Sequence, residues 1–385
     1  MKIGIEGQRL FRVKKHGMDM VALELIKNLQ KLDKKNEYFI YIKPDEDRDC
    51  LENTDNFRIV ELDGGSYASW EQFALPKAAK NDNCDILHCT SNTAPLKSEM
   101  PVVVTLHDII YMEKSYLRIL MDKGTSYQKY GNVYRRYVVP RVVKKAQKII
   151  TVSNFERKRI TDFFGFPESD DRLVAVYNGV SEHFRVVEDE KELKRVKAQY
   201  KLPDEFIFFL GNTDPKKNTK GALKAYSDFL KKFNRKIPLV MLDYDMDELR
   251  KLLNEIGDPD MEKLIHLTGY VVNTDLPAIY SLCALFLYPS LRESFGIPML
   301  EAMRCGIPVI TSNTSSMPEV SGEKAYIVDP YKPEEITEGI IKILNDKDLK
   351  DKLVKDGLVH SMKFSWMSMA ADVLKIYEEI YQKNQ

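Results

Sequence analysis

CALFLYPSLRESFGIPMLEAM, residues 283–303, joins a short apolar run to an amphipathic one through a loop that carries Glu293 and Gly296. The run ending at Pro289–Ser290 reads as a buried strand, and Pro298 fits the first turn of the following helix, where a missing N–H is no loss. Such a strand–loop–helix unit leaves the N–H groups around Phe295, Gly296 and Ile297 without intrahelical acceptors, pointing out of the helix start. With the helix dipole they favour an anion. Gly296 lets that anion approach the backbone closely. Glu301 falls about one turn into the helix, within reach of a ribose diol. Glu293 stands on the loop, beside whatever the anion carries. Either glutamate alone would be read as a complement to the dipole; strand, loop, glycine and apolar helix together favour a binding site.

The same alternation extends outward from this segment. Apolar, β-branched runs recur at residues 2–7, 37–43, 57–62, 84–89, 101–107, 148–153 and 173–179, each separated by a helical pattern. After a charged stretch at 186–205 the series restarts at 206–211, 238–243, 263–270, 283–290, 307–312 and 324–329. Continuous apolar strands alternating with amphipathic helices imply an α/β protein with parallel sheets covered on both faces. Two series predict two doubly wound domains, residues 1–182 and 183–363, with the break near Ser181–Glu205 as hinge and linker. The terminal helical pattern, about 364–385, is expected either to cap the chain or to pack back on the first domain. Ligands of such sheets bind at the carboxyl ends of the strands.

Length and composition fit this plan. A chain of 385 residues exceeds what one core usually supports. Lys and Arg number 58 against 58 Asp and Glu, so no global field points to nucleic acid. Five cysteines contain no C-x-x-C pair, which predicts reduced thiols and neither disulfides nor a zinc site. MKIGIEGQRL begins directly as a strand, without the apolar core of a signal peptide, and no apolar run approaches a membrane span. A cytoplasmic location is expected. Neither a G-x-G-x-x-G nor a G-x-x-x-x-G-K-[ST] loop follows any strand, which argues against NAD enzymes and P-loop NTPases.

In GNTDPKKN, 211–218, Lys216 and Lys217 stand where a helix begins after a strand, placed to neutralise an anion, although paired lysines on a loop are more often a solvated surface. His107 and Asp108 end a strand; a histidine there is more often structural than catalytic, with Asp108 ordering its loop. Gly17 reads as a helix start, and the basic loop 9–16 before it as solvated, with an anionic acceptor the lesser alternative. Tyr270 covers a nucleotide base or belongs to a core, with nothing to separate the two. RRYVVPRVVKKAQK, 135–148, is a basic helix whose ordinary reading is a solvated face. In DYDMDEL the aspartates Asp243, Asp245 and Asp247 precede a helical pattern, so N-capping explains them better than a metal–diphosphate site.

Taken in order, these segments resemble the retaining glycosyltransferases of family 4, which have the GT-B fold. Glu293 and Glu301, spaced E-x7-E within residues 289–322, look like that family's signature, and the likeness runs through residues 16–29, 104–110, 150–160, 177–184 and 211–226. The resemblance implies two Rossmann-like domains facing a cleft, the second holding a nucleotide-sugar donor. It implies that Glu301 bonds the donor ribose and that Glu293 contacts the transferred sugar. Ser294, Phe295, Gly296 and Ile297 would supply backbone contacts to sugar and diphosphate. By the same resemblance Lys217 grips the phosphates, His107 lies over the donor sugar, and the Gly17 loop contacts phosphate or acceptor. Many members carry arginine directly after the glycine, where this chain has Asn212. The form is similar to a G-T-x-x-P-R-K-N subgroup in which mannosyltransferases are frequent, with Asn212 for threonine and Lys216 for arginine.

The expected activity is therefore metal-independent, retaining transfer of a hexose, mannose favoured. The donor is expected to be GDP-mannose ahead of UDP- and dTDP-sugars. The acceptor is a glycan or lipid-linked acceptor in surface polysaccharide or glycoconjugate synthesis, which would allow peripheral membrane contact. No cofactor is expected. The competing expectations are a GT-B nucleotide-sugar epimerase or hydrolase, and an inactive nucleotide-sugar-binding subunit.

Overall fold

In a computed structural model, which describes residues 1–113 and 126–385, the chain divides into two compact units. The first comprises Met1–Gly179 and Trp366–Gln385, the second Val180–Ser365. The first is built on seven parallel strands: β1 (Lys2–Glu6), β2 (Glu37–Ile42), β3 (Phe57–Glu61), β4 (Ile86–Cys89), β5 (Val102–Thr105), β6 (Lys148–Thr151) and β7 (Leu173–Ala175). Their order is β3-β2-β1-β4-β5-β6-β7. The second carries six: β8 (Ile207–Phe209), β9 (Leu239–Met241), β10 (Ile265–Leu267), β11 (Leu285–Tyr288), β12 (Val309–Ser312) and β13 (Tyr326–Val328), ordered β10-β9-β8-β11-β12-β13. All pair in parallel. Central strands are buried from end to end, as continuous Ile, Val, Leu and Phe runs require when helices cover both faces.

In each sheet the strand order reverses once, between β1 and β4 and between β8 and β11. At such a reversal the loops leaving the two strands run to opposite faces and open a crevice beyond their carboxyl ends. Each unit thus has one preferred place for a ligand.

The charged stretch 186–205 is not a linker. It forms the helix Glu190–Gln199 within the second unit, capped by the Asp189 side chain, which accepts from the Lys191 N–H. One apolar stripe suffices to dock it: Val196 is fully buried, and Arg195 and Tyr200 both bond the buried Asp275, at 2.5 and 2.8 Å. The chain passes between units at Gly179–Val180 instead. There Arg304 donates to the carbonyls of Val180, Ser361 and Phe364 at 2.8, 3.0 and 3.0 Å, tying the first residue of the second unit to its last turn.

The helix Trp366–Lys383 packs in the first unit against the helix Gly17–Leu32 and β4. Its Tyr377 hydroxyl meets His88 Nδ1 at 2.5 Å, while Thr105 Oγ1 lies 2.8 Å from Nε2. Burial pushes His88 down to about 3, so the imidazole is neutral and serves as a bridge within the core. Among the described residues no helix is long and apolar enough to cross a membrane.

Candidate functional site

In the second unit the reversal point is occupied by the loops after β8 and β11. Lys217 ends a single turn of tight helix, Pro215–Lys217, and Glu293 sits on the loop before the helix Ile297–Arg304. The two are 76 residues apart in sequence, yet Lys217 Nζ donates to Glu293 Oε1 at 2.6 Å and to the Tyr288 hydroxyl at 3.1 Å. Side-chain exposures of 14% and 11% leave the ion pair nearly but not wholly covered, so one face remains open to a ligand. The backbones are laced as well: the Leu291 N–H donates to the Lys216 carbonyl at 2.7 Å.

Gly296 caps the helix with φ +97°, a conformation that penalises a side chain, and the N–H groups of Gly296 and Ile297 have no acceptor among the described residues. Phe295 is buried with its ring edge-on to Phe364. Ser294 is half-buried on the same loop. Glu301 takes one hydrogen bond, from the Tyr280 hydroxyl at 3.3 Å. Burial pushes its carboxyl up to about 7, and the Tyr280 bond only partly offsets this.

The end of β12 and the loop after it hold this region in shape. Hydroxyls in the run Thr311–Ser316 cap carbonyls of the glutamate loop: Thr311 to Tyr288 at 3.1 Å, Ser312 to Ser290 at 2.6 Å, Thr314 to Leu291 at 3.1 Å, and Ser315 and Ser316 to Glu293 at 2.9 Å each. The Glu293 N–H in turn donates to Ser315 Oγ at 2.9 Å, so the two loops are bonded in both directions. Asn218, at φ +56°, donates to the carbonyls of both Pro289 and Pro330, at 3.0 and 2.8 Å, and so pins three strand exits together. A Cβ on Gly221 would stand 2.4 Å from Asn218 Oδ1, which explains the glycine.

Not every residue expected at the site converges on the pair. Lys216 turns to Asp214 at 3.7 Å on the surface, because its backbone is committed to Leu291. Asn212 is exposed and closes a turn by accepting from the Asp214 N–H at 2.9 Å. Tyr270 is 74% exposed beyond β10, two strands from β8, so it is no core residue. Asp245 accepts from the Glu248 N–H at 2.9 Å and caps the helix Met246–Ile256, as its position suggested. Among the described residues no group of three His, Cys, Asp or Glu is placed to hold a metal ion.

In the first unit the strand exits carry His107 and the Gly17 loop. The His107 N–H donates to Asn92 Oδ1 at 2.6 Å, and its Nε2 donates to the Thr90 carbonyl at 3.0 Å. Burial lowers its pKa, so a neutral ring with Nε2 protonated leaves Nδ1 as a hydrogen-bond acceptor. Asp108 accepts from the Ile110 N–H and orders the loop. Gly17 starts the helix Gly17–Leu32 with open space around it, and Asp19 fixes that start by accepting from the His16 N–H and pairing with Arg9 at 2.8 Å. Lys144 and Lys145 on the basic helix are exposed while Val142 and Val143 are buried, a solvated outer face.

Tyr288, Tyr280, Asn218 and the Thr311–Ser316 hydroxyls were not singled out from sequence. The run of hydroxyl residues at the end of a strand was the signal available for the last of these.

Comparison with known proteins gives a consistent picture. A family model for glycosyl transferases group 1 matches residues 190–358, and one for Glycosyltransferase Family 4 matches residues 16–184. The serotype-specific mannosyltransferase WbdA of Escherichia coli is 32% identical over 246 residues, 63% of this chain and 30% of that protein. The O-antigen chain mannosyltransferase B of Escherichia coli is 32% identical over 234 residues, 60% of this chain and 61% of its own length. Each match thus spans less than two thirds of the relative. HepE of Anabaena, solved in complex with UDP and glucose, superposes over 98% of this chain and 99% of its own with a TM-score of 0.73 at 16% identity.

Proposed function

The chain belongs to the family 4 glycosyltransferases of GT-B fold, and from that premise we propose that it transfers a hexose, mannose favoured, from a nucleotide sugar with retention of configuration. The observation that carries this reading is the Lys217–Glu293 pair at the β8/β11 reversal, beside the open N–H groups of Gly296 and Ile297. A cation and a helix start together offer a diphosphate site. A carboxylate 2.6 Å from that cation stands where a sugar attached to the diphosphate would lie.

The second unit is the donor-binding unit in this reading. Lys217 neutralises the diphosphate, with Phe295, Gly296 and Ile297 meeting it through their N–H groups. Glu293 and Ser294 bond the sugar, Glu301 takes the ribose diol, and Tyr270 covers the base. Lys216 and Asn212 contribute through the shape of their loop rather than through charge, since their side chains are engaged elsewhere. The first unit receives the acceptor at the strand exits that carry the Gly17 loop and neutral His107, whose Nδ1 is left to bond a sugar hydroxyl.

Retention through a covalent intermediate would need a carboxylate aimed at the anomeric carbon, and in this reading Glu293 is engaged with the hydroxyls of the sugar. A same-face path asks less of the protein. The bond from the anomeric carbon to the phosphate oxygen breaks as the acceptor oxygen bonds to the same face, and the departing phosphate takes the acceptor's proton. Negative charge grows on the diphosphate as it leaves, and Lys217 stabilises it at that moment. No metal ion is given a part in this scheme.

GDP-mannose is the favoured donor because two relatives are mannosyltransferases and the PKKN loop resembles a mannosyltransferase subgroup. HepE binds UDP, which keeps UDP-sugars next in order. The acceptor is a glycan or lipid-linked acceptor on a cytoplasmic face of the membrane. A thermal-shift panel of GDP, UDP, ADP and dTDP tests the donor: GDP should stabilise most, by about 2.7 kcal/mol at a hundredfold excess over Kd. Stabilisation by none of the four would sink the reading.

A further inference from the structure

Tyr288 ends β11 with 1% of its surface exposed, and nothing in the scheme above uses it, yet its hydroxyl stands at the charged pair. Lys217 Nζ donates to Tyr288 Oη at 3.1 Å as well as to Glu293 at 2.6 Å, and it lies 5.0 Å from the Tyr288 ring centroid. The ring itself is locked. It stacks on Phe286 at 5.6 Å and 20°, its carbonyl takes the Thr311 hydroxyl at 3.1 Å, and its Cε1 stands 3.7 Å from the Cβ position of Gly296. Of the two groups bonded to the ammonium, Tyr288 is therefore fixed by a central strand, whereas Glu293 stands on a loop.

We infer that Tyr288 is a positioning residue for Lys217: its hydroxyl holds the ammonium beside the helix start when Glu293 turns to the donor sugar. An ammonium has three N–H groups. One stays on Tyr288, and those left by Glu293 are offered to the phosphate. A flexible lysine stem stabilises developing charge only if the cation is already in place when the charge appears. Phenylalanine at this position would keep the ring under the cation but remove the lone pair that fixes it. Burial keeps the phenol protonated at working pH, so its oxygen stays a neutral acceptor for the ammonium.

The inference rests on the second unit being the donor unit, and two readouts keep the claims apart. In the full chain, Tyr288→Phe should lower kcat for transfer or donor hydrolysis about tenfold while donor KM moves less than about threefold, the pattern of an interaction that matters mainly in the transition state. Independently of turnover, the Lys217 ammonium resonance in 15N-lysine-labelled protein, assigned by its loss in Lys217→Arg, should exchange its protons with water about tenfold faster in Tyr288→Phe. Tyr288→Leu, which also removes the ring, should cost more in both. An unchanged kcat, an equal rise in KM, or an unchanged exchange rate would overturn the inference. Wild-type inactivity on every nucleotide sugar would instead count against sugar transfer, with the ammonium readout still deciding the role of Tyr288.

Discussion

Replacing Glu301 by glutamine should make the protein more stable above neutral pH and a weaker nucleotide binder. Burial pushes the Glu301 carboxyl up to about 7, against 4.5 for the free side chain. The folded state therefore keeps a proton that the unfolded chain has released between those values. The stability associated with that proton is complete below about 4.5, falls as pH rises, and is gone above about 7. At 1.36 kcal/mol per pKa unit the ionised carboxylate costs at most about 3 kcal/mol, and half-burial brings the figure to ~1–3 kcal/mol. Glutamine keeps an acceptor for the Tyr280 hydroxyl and carries no charge. Glu301→Gln should raise the melting temperature by ~2–10 °C at pH 8 and leave it unchanged at pH 4.5. In the same variant the nucleoside diphosphate should bind about 5–30-fold more weakly at pH 8, because a neutral acceptor replaces a charged one at the ribose diol. Wild-type affinity should strengthen as pH rises through 7, and the variant's should not. Differential scanning calorimetry at the two pH values, with GDP titrations, reads both effects. Equal melting temperatures for variant and wild type at pH 8 would refute the burial argument, and unchanged GDP affinity would refute the ribose contact.

Three further outcomes follow from the geometry. Asn218→Ala removes the bonds to Pro289 and Pro330 and should cost ~1–3 kcal/mol in urea unfolding, with Gly221→Ala producing a similar loss through the clash with Asn218. Asp245→Ala should cost about 1 kcal/mol by loss of a helix cap and leave sugar transfer untouched, with turnover equally unaffected by EDTA. Lys217→Ala and Glu293→Ala should each reduce turnover by about 10²-fold or more, the scale of a lost electrostatic donor, and full activity in Glu293→Ala would remove it from the sugar site.

The two parallel sheets were legible because their strands are continuous apolar runs, and the loop leading into the helix Ile297–Arg304 because Gly296 and Pro298 punctuate it. That Lys217 and Glu293 serve one site was expected only from family resemblance, and their ion pair was not expected at all. Its physical cause is the adjacency of β8 and β11, a fact of strand order that local pattern does not carry. Lys216 and Asn212 show the opposite limit: sequence places them on the right loop, while side-chain direction depends on backbone bonds to Leu291 and Asp214. The stretch 186–205 misled because its charges mask a single buried stripe around Val196. Asn218 stayed hidden because an asparagine before a helix looks like an ordinary cap, whereas here its amide spans two distant carbonyls.

The central claim is retaining sugar transfer, and the anomeric configuration of the first product tests it most directly. GDP-α-mannose should be incubated with the full chain and simple mannoside acceptors, and the anomeric protons followed by NMR from the first minutes. The account predicts a new α-mannosidic signal growing as GDP-mannose declines. A β-linked product, an epimerised nucleotide sugar, or release of free mannose alone would contradict it.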